Sequence, residues 1–322
     1  MKYKDIIKVN DLSYYYRRNL ALDNISFSVR KGDFFCFLGP NGAGKSTTVK
    51  LLTGQLKLQS GEAIVDERNI RTENKEIIKN IGVLTDDMVL PKELTVRELL
   101  KFVSLSFTYS NSKAKDVSNQ VISKIGLREY ANFKIAHLSS GLLRRVSIGQ
   151  ALVNNSSILF LDEPTIGLDP VSSREILGLI KKLHNEGRTI FYTTHLLKEV
   201  EQLCTSLAVI NRGKIKLCNN FSNLQKHFKK KIEIVISNKQ KSLVQVIKIL
   251  KKSGWKGIIT DRKKILISIP SNNVSEEAFN TIVSILQKNK IAFSEAAIKQ
   301  LSLEELYHTI ISEGGINETL VK

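Results

Sequence analysis

The run Gly39-Pro40-Asn41-Gly42-Ala43-Gly44-Lys45-Ser46-Thr47 constrains this chain more than any other feature. It fits G-x-x-x-x-G-K-[ST], a pattern built to hold phosphate. Phosphates need many donors converging on one small volume. Glycine lets the backbone turn tightly and aim its N–H groups inward. A helix that starts where the loop ends offers its positive N-terminal end to the anion. Lys45 can reach the β- and γ-phosphates of a nucleoside triphosphate, and the Ser46 hydroxyl can ligate Mg²⁺. The flanks agree: Asp33–Leu38 reads as a buried strand, and Thr48–Leu52 continues as helix.

Two further apolar runs end in polar groups. Ser157–Leu161 delivers Asp162 and Glu163 at a strand end, where Asp162 can hold Mg²⁺ and Glu163 can orient and deprotonate an attacking water. Alone, the two acids before Pro164 could be only a helix start. Arg188–Thr194 leads into His195 in the same way. A lone histidine is usually structural, but ligands of open α/β sheets sit beyond the C-terminal strand ends. Lys45, Glu163 and His195 are therefore expected on one edge of one sheet, with His195 on the γ-phosphate or the attacking water.

Length and composition narrow the class. The chain has 322 residues, enough for two domains, and no run of 18 apolar residues that would span a bilayer. Its start lacks the apolar core of a signal peptide. Cys36, Cys204 and Cys218 make neither a disulfide framework nor a metal cluster, so a reducing, cytosolic setting is expected. The net charge of +18 points either to a polyanionic neighbour or to a solvated, lysine-rich surface. The one tight cluster is Lys229-Lys230-Lys231.

Glycine-punctuated apolar runs alternating with helix-period segments predict an α/β domain over residues 1–218, with a largely parallel sheet. Asn211–Lys214 reads as a hairpin turn, and Cys218–Asn223 as a linker. Residues 219–322 predict a smaller α+β domain. Strands are expected at Ile232–Ser237, Gly257–Thr260, Lys264–Ile269 and Ile291–Ser294, with a turn at Asp261-Arg262-Lys263. Helices are expected at Ser242–Lys252, Ser275–Lys288 and Ser302–Ile311. That order, βαββαβ plus a helix, is the ferredoxin-like arrangement.

Taken in order, the motifs of residues 1–218 resemble the nucleotide-binding subunit of an ABC transporter. Ile81–Asp86 resembles the lid-loop segment, Leu138-Ser139-Ser140-Gly141-Leu142 the L-S-G-G-Q signature, and Gly167-Leu168-Asp169 the dimer loop. The resemblance implies a P-loop NTPase-type sheet core with a helical subdomain, binding ATP and Mg²⁺. It implies that Gly39 to Thr47, Ser139 and Gly141 contact nucleotide. Tyr16 would stack on adenine, with Tyr14 and Tyr15 as rivals. Asp86 stands where Gln or Glu usually reaches Mg²⁺ or the attacking water. Ser140 and Leu142 also depart from the signature, and Ser139 could be only a helix N-cap. These departures bear on rate rather than on nucleotide binding.

The resemblance further implies a second nucleotide-binding subunit, identical or homologous, because the signature of one chain closes on the phosphate loop of another. It implies a separate membrane permease docked near Asp86–Leu100, and a cytoplasmic place at the inner face of the membrane. The closing Leu301–Tyr307 resembles the end of efflux-type subunits, which favours export of drugs, peptide antibiotics, lipids or polymers over import. A soluble ABC-type ATPase acting on nucleic acid or ribosomes is the rival from another class. No specific nucleic acid is expected, because neither a second nucleotide module nor a long coiled-coil insertion is present. A non-hydrolysing regulatory subunit is the third reading.

Overall fold

The structure is a computed structural model, and it describes residues 4–108, 110–227, 230–237, 243–261, 264–269, 275–300 and 303–312. The chain falls into two compact units, Met1–Phe221 with Ile310–Lys322, and Ser222–Thr309.

The first unit begins with β1 (Asp5–Tyr16), β2 (Asn19–Arg30), β3 (Phe34–Leu38) and α1 (Lys45–Leu52). Then come β4 (Glu62–Val65), β5 (Arg68–Asn69), α2 (Ile70–Asn80) and β6 (Ile81–Leu84). Helices α3 (Val96–Leu105), α4 (Asn111–Lys124) and α5 (Ser140–Leu152) follow. The chain then returns through β7 (Ile158–Asp162), α6 (Pro170–Asn185), β8 (Thr189–Thr194), α7 (Leu197–Leu203), β9 (Ser206–Asn211) and β10 (Lys214–Asn220), and α8 (Phe221–His227) begins on the last residue of this stretch and continues into the second unit.

The six-stranded sheet has the order β10-β9-β3-β8-β7-β6. Every pair in it is parallel except β9 with β10. Strands β3, β7 and β8 are buried along their whole length, as crossover helices on a parallel sheet require. The β9–β10 turn has positive φ at both Arg212 and Gly213, the twist a two-residue hairpin needs.

A second sheet, β2-β1-β4-β5, is antiparallel and has no counterpart in the sequence reading. Between the sheets stands an aromatic wall. Phe191 has its ring centroid 5.4 Å from Phe35, 5.5 Å from Phe37, 5.4 Å from Phe160 and 6.1 Å from Phe27. Alternation along β3 puts Phe35 and Phe37 on this face. Helices α3, α4 and α5 pack together as the helical subdomain, which the resemblance implied. Gly149 lets them close: a Cβ there would lie 2.9 Å from Ile125, and 3.3 Å from both Leu100 and Val121.

The second unit contains β11 (Lys230–Ile236), α9 (Leu243–Lys252), β12 (Lys256–Asp261), β13 (Lys264–Ser268), α10 (Ser275–Lys288) and β14 (Phe293–Gln300), followed by α11 (Leu303–Ser312). The sheet order β12-β13-β11-β14, antiparallel throughout, is the ferredoxin-like arrangement. Its core joins Ile232, Ile234, Ile265 and Ile267 of the sheet to Val246 and Leu250 of α9 and Ile282 and Leu286 of α10.

Two boundaries differ from expectation. Cys218–Asn223 is not a linker: β10 runs to Asn220 because β9 pairs with it along its length, and buried Phe221 opens α8. The last strand is Phe293–Gln300 rather than Ile291–Ser294, since β11 offers a ladder from Lys230 to Ile236. Lys229, Arg262, Lys263, Leu301 and Ser302 lie outside the described residues.

Candidate active site

The phosphate loop joins β3 to α1, and its glycines meet three different demands. Gly42 and Gly44 have φ of 77° and 111°. A Cβ on Gly39 would lie 2.4 Å from the Ile210 carbonyl oxygen, so the loop could not pass this close with any side chain there. Gly44 caps α1 without a side chain, which leaves the first N–H groups of that helix for the loop concavity.

Lys45 is 4% exposed, and its ammonium has three partners. It donates to the carbonyls of Gly39 at 2.8 Å and Pro40 at 3.1 Å, and pairs with Glu163 Oε1 at 2.8 Å. Those partners match its three donors.

Sheet register brings the remaining groups to the same edge. Leu38 pairs with Thr194, and Asp162 with Thr193, so β3, β7 and β8 end together. Asp162 is buried and accepts from the Thr193 hydroxyl. Burial pushes its carboxyl above the usual carboxylate range, while hydrogen bonds from Thr193 and Ser46 pull it back; the Glu163 charge raises it and Lys45 lowers it. Glu163 takes φ of 45°, a left-handed conformation costing about 1–3 kcal/mol for a non-glycine residue. Its N–H holds that bend, donating to the Thr193 carbonyl at 3.2 Å and hydroxyl at 3.0 Å. Its second oxygen lies 2.8 Å from His195 Nδ1. The expected convergence of Lys45, Glu163 and His195 is therefore present, as one chain of contacts.

A buried Asp162 beside the Ser46 hydroxyl fits Mg²⁺. That ion takes hard oxygen donors, few from protein, and leaves positions for water and phosphate. Thr193, which tethers both Asp162 and Glu163, was not anticipated; nothing local in the sequence separates it from Thr194. Glu199 was not anticipated either.

Other expected site residues lie elsewhere. Tyr14 is buried in the core against β2, with its ring edge-on to Tyr16 at 4.9 Å, so it is removed as a stacking candidate. Tyr16 and Tyr15 are exposed, and Tyr16 is close enough to Lys50 of α1 to act on it electrostatically. The residue that contacts α1 from the lid segment is Asp87, paired with Lys50 at 2.7 Å, rather than Asp86. Among the described hydrogen bonds and ion pairs, Asp86 has none with Lys45, Ser46, Asp162 or Glu163. It lines a cleft of about 520 Å³ with Met88 and Val89, with Leu143 and Arg144 of α5, and with Ile166 and Gly167. Arg144 feels the Asp86 charge and donates to the Ile166 carbonyl at 3.3 Å, while burial lowers its pKa. Ser139 is exposed and caps α5, accepting from the Leu142 N–H at 3.4 Å. A Cβ on buried Gly141 would meet the Ser172 hydroxyl at 2.8 Å. Among the described residues, no hydrogen bond joins Ser139 or Gly141 to the Lys45 cluster.

Comparison with known proteins gives the same reading. The family described as ABC transporter matches residues 22–166. The linearmycin resistance ATP-binding protein LnrL of Bacillus subtilis (strain 168) is 36% identical over 210 residues, covering 65% of this chain and 68% of that protein. The bacitracin transport ATP-binding protein BcrA of Bacillus licheniformis is 34% identical over 240 residues, covering 74% of this chain and 78% of that protein. Among solved structures, the dimeric, post-hydrolysis ATP-binding cassette MJ0796, bound to ADP and Pi, superposes with a TM-score of 0.61 at 25% identity. It covers 66% of this chain and 98% of that one. With its phosphate loop, paired strand-end carboxylates and histidine on one sheet edge, the chain belongs to the ABC transporter family as an ATP-binding, ATP-hydrolysing subunit.

Proposed function

We propose that this subunit powers a membrane permease that exports drugs, peptide antibiotics, lipids or polymers. The observation that carries the catalytic part is the contact chain from Lys45 through Glu163 to His195. Residues Gly39–Thr47 hold the ATP phosphates, and Tyr16 stacks on adenine. When ATP arrives, Lys45 moves from loop carbonyls and Glu163 to the β- and γ-phosphates. Glu163 is thereby freed to take a proton from the attacking water, and His195 holds that water or the γ-phosphate. Mg²⁺, held by Ser46 and Asp162, would neutralise charge on the phosphates. Asp86, on the lid segment, would serve as a further oxygen donor for the ion or the attacking water.

The second half of each site comes from another nucleotide-binding subunit, identical or homologous. Its Ser139 and Gly141, at the start of α5, offer N–H groups to the γ-phosphate. An exposed Ser139 with no partner in its own chain's Lys45 cluster supports this. In this reading the permease loops dock in the 520 Å³ cleft beside Asp86, and the subunit works in the cytoplasm against the inner face of the membrane. Among the described residues, no helix is long and apolar enough to cross a membrane, so a separate permease fits. The names of LnrL and BcrA, a resistance protein and an antibiotic transport protein, support export.

The test is recovery of the tagged chain from detergent-solubilised membranes. One integral membrane protein should co-purify, and the ATPase rate of the complex should rise with its cargo. Cells lacking the pair should accumulate that cargo. Recovery only with ribosomes or nucleic acid would overturn the transport reading, and loss of uptake in such cells would overturn export.

A further inference from the structure

Directly beneath the active strand edge lies a buried carboxylate that the proposed chemistry does not use. Glu199, in α7, is 4% exposed. Its Oε2 accepts from the Thr194 hydroxyl at 2.5 Å and the Tyr192 hydroxyl at 2.9 Å. Its Oε1 accepts from the Thr165 hydroxyl at 2.5 Å. Among the described ion pairs, Glu199 has no cationic partner. Burying a carboxylate is costly, and an apolar side chain of similar size would fill this space at less expense. Filling space is therefore a poor account of it.

The three hydroxyls show what it holds. Thr165 lies two residues beyond Glu163, on the loop that leaves β7. Thr194 immediately precedes His195. The Thr194 carbonyl also accepts the Gly39 N–H at 3.2 Å, and its hydroxyl accepts the Leu196 N–H at 3.0 Å. One side chain is thus tied to the strand that carries the histidine and to the loop that carries the base, and through Thr194 to the first residue of the phosphate loop.

We infer that Glu199 is a positioning residue for ATP hydrolysis, pinning Thr165 and Thr194 so that Glu163, His195 and Gly39 keep their mutual geometry. The inference rests on Glu163 being the base. Proton transfer demands hydrogen-bond reach, and a misplacement of about 1 Å can cost on the order of 10²-fold. Phosphate binding is shared among many backbone donors and tolerates more. Losing the anchor should therefore lower kcat and spare ATP affinity.

Glu199→Gln keeps the shape but turns one acceptor into a donor. Thr165→Val removes a hydroxyl, and Thr165→Ser restores it. Each variant, with Glu163→Gln beside them, is measured in the full chain co-purified with its membrane partner. The readouts are single-turnover hydrolysis, ATP affinity and amide exchange in peptides spanning 36–40 and 162–167. We expect kcat to fall roughly tenfold or more in Glu199→Gln and Thr165→Val, with ATP affinity within about twofold and faster exchange in both peptides. Thr165→Ser should recover most of the Thr165→Val loss. Parent-like kcat and exchange in Glu199→Gln and Thr165→Val, with Glu163→Gln slow, would overturn the positioning role. So would a joint loss of affinity, melting temperature and kcat that Thr165→Ser does not repair. A parent-like rate in Glu163→Gln would instead overturn the base assignment, and the positioning role with it.

Discussion

Glu163 Oε2 lies 2.8 Å from His195 Nδ1, although 32 residues separate them in sequence. The other carboxylate oxygen is 2.8 Å from the Lys45 ammonium. Both contacts depend on the left-handed bend at Glu163, which Thr193 holds through its carbonyl and its hydroxyl.

Replacing Glu163 with Gln preserves the shape and removes the base. ATP binding should survive, and hydrolysis should slow by roughly 10²–10⁴. An ATP-stabilised dimer should accumulate, which light scattering with ATP and Mg²⁺ would detect. A parent-like turnover rate would exclude Glu163 as the base.

A shared site is testable by mixing Lys45→Ala with Ser139→Arg, each inactive alone. At a one-to-one ratio about half the dimers are mixed, and one of the two sites in each is intact. Activity should recover to roughly a quarter of the parent if the chains pair two-fold symmetrically and the sites act independently. Nucleotide trapped by Ser139→Arg homodimers as stably as by mixed dimers would count against sharing.

Tyr14 and Tyr16 should separate by burial. Tyr16→Ala should weaken ATP binding by about 1–3 kcal/mol, the worth of one aromatic–base stack, and leave melting nearly unchanged. Tyr14→Ala should instead cost about 3 kcal/mol of folding stability, because that ring is in the core. Calorimetric titration and thermal melting distinguish the two.

Phe191 touches four other phenylalanines between the sheets. Phe191→Ala should destabilise the first unit by about 3–5 kcal/mol through lost burial and a residual cavity. Urea unfolding monitored by circular dichroism would measure it. A cost under about 1 kcal/mol would mean that the wall is not the core between the sheets.

Asp169 caps α6, accepting from the Val171 N–H at 2.9 Å and the Ser172 N–H at 3.0 Å. Hydrogen bonds from Ser172, then from Val171, hold its carboxyl below the ordinary value of 3.8. A lowered folded-state pKa means the folded chain prefers the ionised form. The resulting stabilisation is present above the ordinary value and is lost as pH falls through the lowered one. Asp169→Asn keeps a capping oxygen and removes the titration. Its acid unfolding curve should be shallower than the parent's as pH falls below about 4, and identical slopes would overturn this.

The sequence by itself determined the phosphate loop, the Asp162-Glu163 pair and His195, because each is a contiguous run whose chemistry needs few neighbours. It also carried the element order of the second unit, since apolar periodicity is local. Tertiary structure decided what depends on pairing. The register of β3, β7 and β8 brings the three polar strand ends to one edge. Alternation at the end of β1 buries Tyr14 and exposes Tyr15. The antiparallel sheet of β2, β1, β4 and β5 joins segments more than thirty residues apart, which no local pattern reports. Glu199 reads in sequence as one acid among several on a short helix. Only the fold sets it beneath Thr165 and Thr194, where burial makes its hydrogen bonds obligatory.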